Sequence, residues 1–190
     1  MTTFRALGER LVYQGHVVRL VVATFESPDG VTFDRDVVHT PGAVAVVPLR
    51  FDVEGNAMVV LVEQFRPALG TELREIPAGL RDVVGEHPLD TAQRELAEEC
   101  GLSAGRLELL TTFQNAAGMT DAATIVYLAL DLESVETRRD GPEEDHMTVH
   151  VVPLADALAE VATGRLTDAK TVIGLLLAER WLERADRAPA

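Results

Sequence analysis

Cysteine is nearly absent from this chain. One thiol in 190 residues, Cys100, leaves no intrachain disulfide and too few ligands for a cysteine zinc site. Long apolar runs are absent too. No stretch reaches roughly 18 uninterrupted apolar residues, and Met1 to His16 lacks the apolar segment of a secretory leader. A soluble protein of a reducing, cytoplasmic compartment, with no membrane partner, is therefore expected. Positive charge is short as well: 17 Lys+Arg stand against 31 Asp+Glu, for a formal net charge of -14 and a pI ≈ 4.7. A duplex binder needs a concentrated basic face, so nucleic acid is set aside as a partner. There is no serine in a nucleophile-elbow pattern, no phosphate-cradling P-loop and no dinucleotide glycine fingerprint, which removes covalent and kinase-type chemistry.

What is present is a chain long enough for one sizeable core, 47% apolar. Its first third is rich in β signals. Val17 to Phe25 is a β-branched run, Ser27-Pro28-Asp29-Gly30 is turn chemistry, and Val31 to His39 resumes, so the opening unit reads as a hairpin. Gly42 to Leu49, Ala57 to Phe65 and Thr71 to Ile76 read as further strands, with a break at Pro77-Ala78-Gly79 and a loop over Leu80 to Pro88. The period then changes. Leu89, Ala92, Leu96 and Cys100 recur at helical spacing, with Asp90 as a candidate N-cap and Gly101 as the stop. Leu107 to Gln114, Ala123 to Leu130 and Met147 to Val152 return to strand character. Helices follow over Leu154 to Thr163 and from Thr167 to about Ala185. The expectation is an α/β sandwich with a mixed sheet.

The segment Arg94-Glu95-Leu96-Ala97-Glu98-Glu99-Cys100-Gly101-Leu102 carries the chemistry. Glu98 and Glu99 lie three and four positions beyond Glu95, so on a helix the three carboxylates share one face. Such a face repels itself by a few tenths of a kcal/mol, roughly, per exposed pair, a cost that a divalent cation reverses. Oxygen-only ligands suit Mg²⁺ or Mn²⁺ better than zinc. From the carboxylates alone, a solvated acidic helix face is the favoured reading. Among the histidines, only His146 and His150 have close spacing, and it is not that of a chelate.

Taken together, Gly79, Glu86, Arg94-Glu95-Leu96, Glu98-Glu99 and Gly101-Leu102 resemble the Nudix box of diphosphate hydrolases, with one extra residue between Gly79 and Glu86. The resemblance implies an α/β/α sandwich with Glu95 and Glu99 as principal ligands of Mg²⁺ (or Mn²⁺), Glu98 as a further ligand or anchor of metal-bound water, and the Ala78 carbonyl as a backbone ligand. Arg94 and Glu86 would orient these groups. Pro41 to Pro48, Glu63-Gln64-Phe65-Arg66-Pro67 and Arg74-Glu75-Ile76-Pro77-Ala78-Gly79 are similar to the ADP-ribose pyrophosphatase branch. By that likeness residues 1–40 form a hairpin extension that joins a homodimer and part of the pocket, and residues 41–190 form the catalytic domain. Arg66 would meet the diphosphate or ribose, Glu75 the substrate's polar groups, and Gly118 would be a further substrate contact.

Two departures from the branch pattern bear on the substrate. Where the branch carries proline and glutamate around this loop, the chain has Ala117 and Ala122, which leaves the loop freer and loosens the tie to ADP-ribose. Another nucleotide sugar or dinucleotide is the alternative, and a binding module that does not cleave its nucleotide is a third. For the general base the resemblance points to the acidic loop, where Glu143 aligns best and Glu144 is adjacent.

Overall fold

The structure is a computed structural model that describes residues 3–137 and 146–185. Its residues cluster into two compact units, one of residues 1–42 and 113–123, the other of residues 43–112 and 124–190.

The first unit is built on a three-stranded antiparallel sheet in the order β1 (Arg5–Gln14), β2 (Arg19–Glu26), β3 (Thr32–His39). The expected hairpin is β2 and β3, closed at Ser27 to Gly30, where Gly30 adopts φ 84° and its N–H bonds the Ser27 carbonyl at 3.0 Å. Strand β1 is an addition to it. Its apolar residues Leu7, Leu11, Val12 and Tyr13 are all about half exposed or more, so it carries no inward-facing signal of the usual kind. The loop before Ala123 joins this unit. Val38 N–H donates to the Met119 carbonyl at 2.8 Å, and His39 Nδ1 and Nε2 lie 2.5 Å from Asp121 and 3.1 Å from Glu9. Asp121 also accepts the Thr40 N–H, so the loop that Ala117 was expected to free is pinned at its far end.

The second unit holds a seven-stranded mixed sheet. β4 (Ala43–Phe51) is central. It pairs antiparallel with β5 (Ala57–Arg66) and with the short β7 (Ala78–Leu80), and parallel with β9 (Ala123–Ser134). β6 (Thr71–Glu75) and β10 (Thr148–Pro153) add to β5, and β8 (Leu102–Gln114) adds to β9. Alternation along β4 and β9 explains the helices. Val44, Val46, Tyr127 and Ala129 pack with Ala92 and Leu96 of α1 (Pro88–Cys100). Val47 and Val126, of opposite parity, meet Gly174 of α3 (Ala169–Ala185), where an added Cβ would lie 2.9 Å from Val47. α1 and α3 therefore cover opposite faces, and α2 (Leu154–Ala162) packs beside α3 against β5 and β10. This is the expected α/β/α sandwich. No helix among the described residues is long and apolar enough to cross a membrane.

Several boundaries differ from the sequence reading. His87, not Asp90, caps α1: its Nδ1 accepts the Leu89 N–H at 3.3 Å, and Pro88 follows at the first helical position, where its missing N–H costs nothing. Pro77-Ala78-Gly79 does not end the sheet, because residues 78–80 pair with Ala43 to Ala45 as β7. β8 begins at Leu102, directly after Gly101, whose left-handed φ of 62° turns the chain out of α1.

Candidate active site

α1 is amphipathic in an unusual sense, since the face turned from Ala92 and Leu96 is also partly covered. Glu95 and Glu99 are 6% and 4% exposed, although a buried carboxylate costs several kcal/mol unless it is compensated. Compensation is local. Glu99 accepts the Ala78 N–H of β7 at 2.9 Å. Arg94 Nη1 lies 2.7 Å from Glu95 and 2.9 Å from Glu98, while its Nε and Nη2 reach Glu86 at 3.2 and 3.3 Å. Thr91 Oγ1 also donates to Glu86, at 2.8 Å. The Arg94 guanidinium, then Thr91, holds the Glu86 carboxyl below the usual carboxylate range. Glu86 in return, with Glu95 and Glu98, pushes Arg94 further up against its partial burial, so it stays charged at any working pH.

Strand β7 brings backbone against this face. A Cβ on Gly79 would lie 1.9 Å from the Glu95 carboxylate, so only glycine lets the acid close on the strand. Ala78, Gly79, Arg94, Glu95, Glu98 and Glu99 line one cavity of about 330 Å³ together with Gln64 to Pro67. Arg66 thus shares the cleft with the acids, and the charge of Glu99 bears on it.

Arg66 is held from behind. Its Nε and Nη2 donate to the two oxygens of Glu75 at 2.7 and 2.6 Å, a bidentate fork, and Glu75 is 1% exposed. Glu75 also takes Lys170, whose ammonium lies 3.0 Å from Asp168. Asp168 caps α3 through the Thr171 N–H at 3.0 Å, and Thr171 Oγ1 accepts the Ile76 N–H beside Glu75 at 2.9 Å. The bonds from Glu75 raise Arg66 above its ordinary value despite burial. Burial pushes Asp168 up, but Lys170 and Thr171 outweigh it and hold that carboxyl down.

A family profile described as the NUDIX domain matches residues 39–173. The chain belongs to the Nudix family. Its relatives include an ADP-ribose pyrophosphatase of Bacillus subtilis, 36% identical over 90% of each chain, and one of Mycobacterium tuberculosis, 35% identical over 91% of this chain and 82% of that one. A solved structure described as an ADP compounds hydrolase superposes with a TM-score of 0.84 over 98% of this chain and 97% of that one, at 23% identity, and shares the fold. The chain is thus a Nudix hydrolase, an enzyme of pyrophosphate bonds, in a family that generally uses divalent metal ions.

The residues present fit such an ion. They supply carboxylates and backbone, all oxygen, which is the donor chemistry of hard divalent cations. They do not form a ready-made cage: among the described residues no three His, Cys, Asp or Glu side chains converge closely enough to hold a metal as they stand. Arg94 stands between Glu95 and Glu98, one positive group among the acids.

Of the site residues read from sequence, the cleft gathers Ala78, Gly79, Arg66, Arg94, Glu95, Glu98 and Glu99. Glu86 stands behind Arg94, and Gly101 is the cap of α1. Glu75 lies beneath Arg66 with its oxygens turned to Arg66 and Lys170. Gly118 lies in the 115–121 loop of the first unit, and Glu143 and Glu144 lie outside the described residues. Sequence reasoning missed Lys170 and Asp168. They sit 95 and 93 positions from Glu75, and only the α3 cap pattern around Asp168 was there to be read.

Proposed function

We propose that this Nudix hydrolase cleaves the diphosphate of ADP-ribose to AMP and ribose 5-phosphate, with Mg²⁺ as its ion. The single observation that carries the reading is the cleft that Glu95, Glu98 and Glu99 line together with Arg66, three carboxylates and a fixed guanidinium around one cavity. Glu95, Glu98 and Glu99, with the Ala78 carbonyl, would hold the metal. When bound, it screens the diphosphate oxygens and makes a water nucleophilic. Arg66 takes a diphosphate oxygen, and its fork on Glu75 spares the bound substrate the entropy of ordering that side chain. Arg94 keeps Glu95 and Glu98 apart and oriented, and Glu86 and Thr91 keep Arg94 in place. The general base is assigned from sequence to Glu143, with Glu144 beside it. The two relatives named above support ADP-ribose as the substrate.

Incubation with ADP-ribose and Mg²⁺ should release AMP, read by chromatography. No turnover on ADP-ribose, with turnover on another nucleotide sugar or a dinucleotide, transfers the same chemistry to that substrate. Tight binding with the ligand intact would instead make the chain a nucleotide sensor.

The homodimer belongs to the same proposal. Phe4, Leu7, Leu11, Val12 and Tyr13 leave an apolar band exposed on and beside β1, more than a solitary strand usually shows to water. Sedimentation equilibrium should give twice the mass of the 20.6 kDa chain.

A further inference from the structure

Behind Arg66 lies a closed set of four charges. Arg66 and Lys170 are the cations, Glu75 and Asp168 the anions, joined in the order Arg66, Glu75, Lys170, Asp168. Lys170 is the chain's single lysine, every other one of its 17 Lys+Arg residues being arginine. It is also well covered, with 14% of its side chain exposed. A compact ammonium fits where one carboxylate oxygen must be shared, whereas a planar guanidinium would claim two.

The sharing has a consequence at the cleft. Arg66 spends Nε and Nη2 on Glu75, and among the described residues its Nη1 makes no hydrogen bond. A diphosphate approaching Nη1 also meets the field of Glu75 just behind it. If Arg66 alone faced Glu75, the two charges would cancel and an anion would gain little. Because Lys170 draws on the same carboxylate, the trio Arg66, Glu75 and Lys170 keeps a net positive charge, which Asp168, paired with Lys170, offsets from within the cluster. We propose that Lys170 is a positioning residue for diphosphate binding: by sharing Glu75 it fixes the fork that aims Arg66 and leaves the guanidinium its charge for a phosphate oxygen.

This rests on the reading of Arg66 as a diphosphate contact, and the test separates the two. The probes are inorganic pyrophosphate, titrated by calorimetry, and ADP-ribose with Mg²⁺, followed for KM and kcat. Lys170→Met should weaken pyrophosphate and raise KM about tenfold, with kcat within about threefold, since binding rather than the chemical step is lost. Asp168→Asn should act in the opposite direction on affinity, tightening pyrophosphate about two- to threefold by removing the offsetting charge, while its amide oxygen still caps α3. Protein labelled with ¹⁵N at the lysine Nζ has one side-chain ammonium resonance, which should shift on saturation with pyrophosphate and fail to do so in Arg66→Ala.

A merely structural Lys170 would give two variants that lose thermal stability with affinity unchanged or reduced in both. That result, a Lys170→Met Kd within twofold of the parent, or a parent that binds no pyrophosphate, overturns the proposal. Should Lys170→Met fail to fold, the sign of the Asp168→Asn effect and the ¹⁵N response decide. A parent that binds pyrophosphate but cleaves no nucleoside diphosphate derivative sinks the substrate reading and leaves Lys170 to the titration.

Discussion

Two charged clusters meet at the cleft and are compensated in opposite ways. On α1 and the loop before it, Glu86, Glu95 and Glu98 share one arginine, Arg94, and Glu99 takes a backbone N–H. Beneath β5, Arg66 and Lys170 meet Glu75 and Asp168 in equal number. In the proposed function the first arrangement is an electrostatic debt that a divalent ion would discharge. The second is neutral as a whole and serves as a frame. In that proposal a protein of formal charge -14 would draw an anion locally, through the bound ion and one guanidinium held in a fixed direction.

Removing an acid from the indebted cluster should have the largest effect. Glu95→Gln or Glu99→Gln takes away a ligand group while keeping size and hydrogen-bonding capacity. kcat should fall by about 10²-fold or more with thermal stability equal or higher, since a buried charge is gone. Activity near the parent level would show that these acids hold no catalytic ion. In the neutral cluster, the corresponding change should reverse the pattern. Glu75→Gln leaves Arg66 and Lys170 facing each other without their shared carboxylate, a loss of about 3–5 kcal/mol measured by denaturant unfolding. An unfolding midpoint unchanged from the parent would break the contrast between debt and frame.

Gly79→Ala is the next smaller test. The new methyl group would enter the space of the Glu95 carboxylate, the far end of a flexible side chain, so the acid must swing away while β7 keeps its pairing. Turnover should drop about 10- to 100-fold, as for a misplaced ligand, with a melting temperature within a few degrees of the parent. A variant that unfolds instead would assign Gly79 to the sheet rather than to the site.

The contrast also explains what could be read from the sequence. The acidic face was legible because Glu95, Glu98 and Glu99 are neighbours on one helix, and helical period alone places them. Arg94 and Glu86 were legible as part of the same box. The sandwich followed from strand and helix periods, with Gly101 marking the end of α1. The frame was not legible. Glu75 and Lys170 are 95 positions apart, and neither periodicity nor composition ties a carboxylate on β6 to an ammonium on the first turn of α3. The resemblance of its neighbours to the family's pattern points Glu75 at the substrate's polar groups, while its burial under Arg66 is a tertiary fact. β1 was passed over for a related reason: its side chains are exposed throughout, so no alternation marked it. His39 gave no local hint either, since its partners Asp121 and Glu9 are 82 and 30 positions away.

His39 adds a cation that can be switched off. Its ring lies between Asp121 and Glu9, and the Asp121 hydrogen bond, opposed by slight burial and aided by both carboxylates, raises it above its ordinary 6.5. The His39 hydrogen bond in turn holds Asp121 below its ordinary 3.8. A raised histidine contributes stability that is whole below 6.5 and fades as pH climbs through its folded value. A lowered aspartate contributes stability that is whole above 3.8 and fades as pH falls through its own folded value. The clamp on the 115–121 loop should therefore be strongest between about pH 4 and 6.5 and weaken toward pH 8. The effect is small because 52% of the Asp121 side chain is exposed and water screens the pair. His39→Gln should flatten the pH dependence of unfolding above pH 6 and speed amide exchange at Val38 and Thr40, whose N–H groups bond the Met119 carbonyl and Asp121. Exchange at those amides that is equally fast in parent and variant at pH 5.5 would mean that the charge on His39 does not hold the loop, and that compensation governs stability only in the buried clusters beside the cleft.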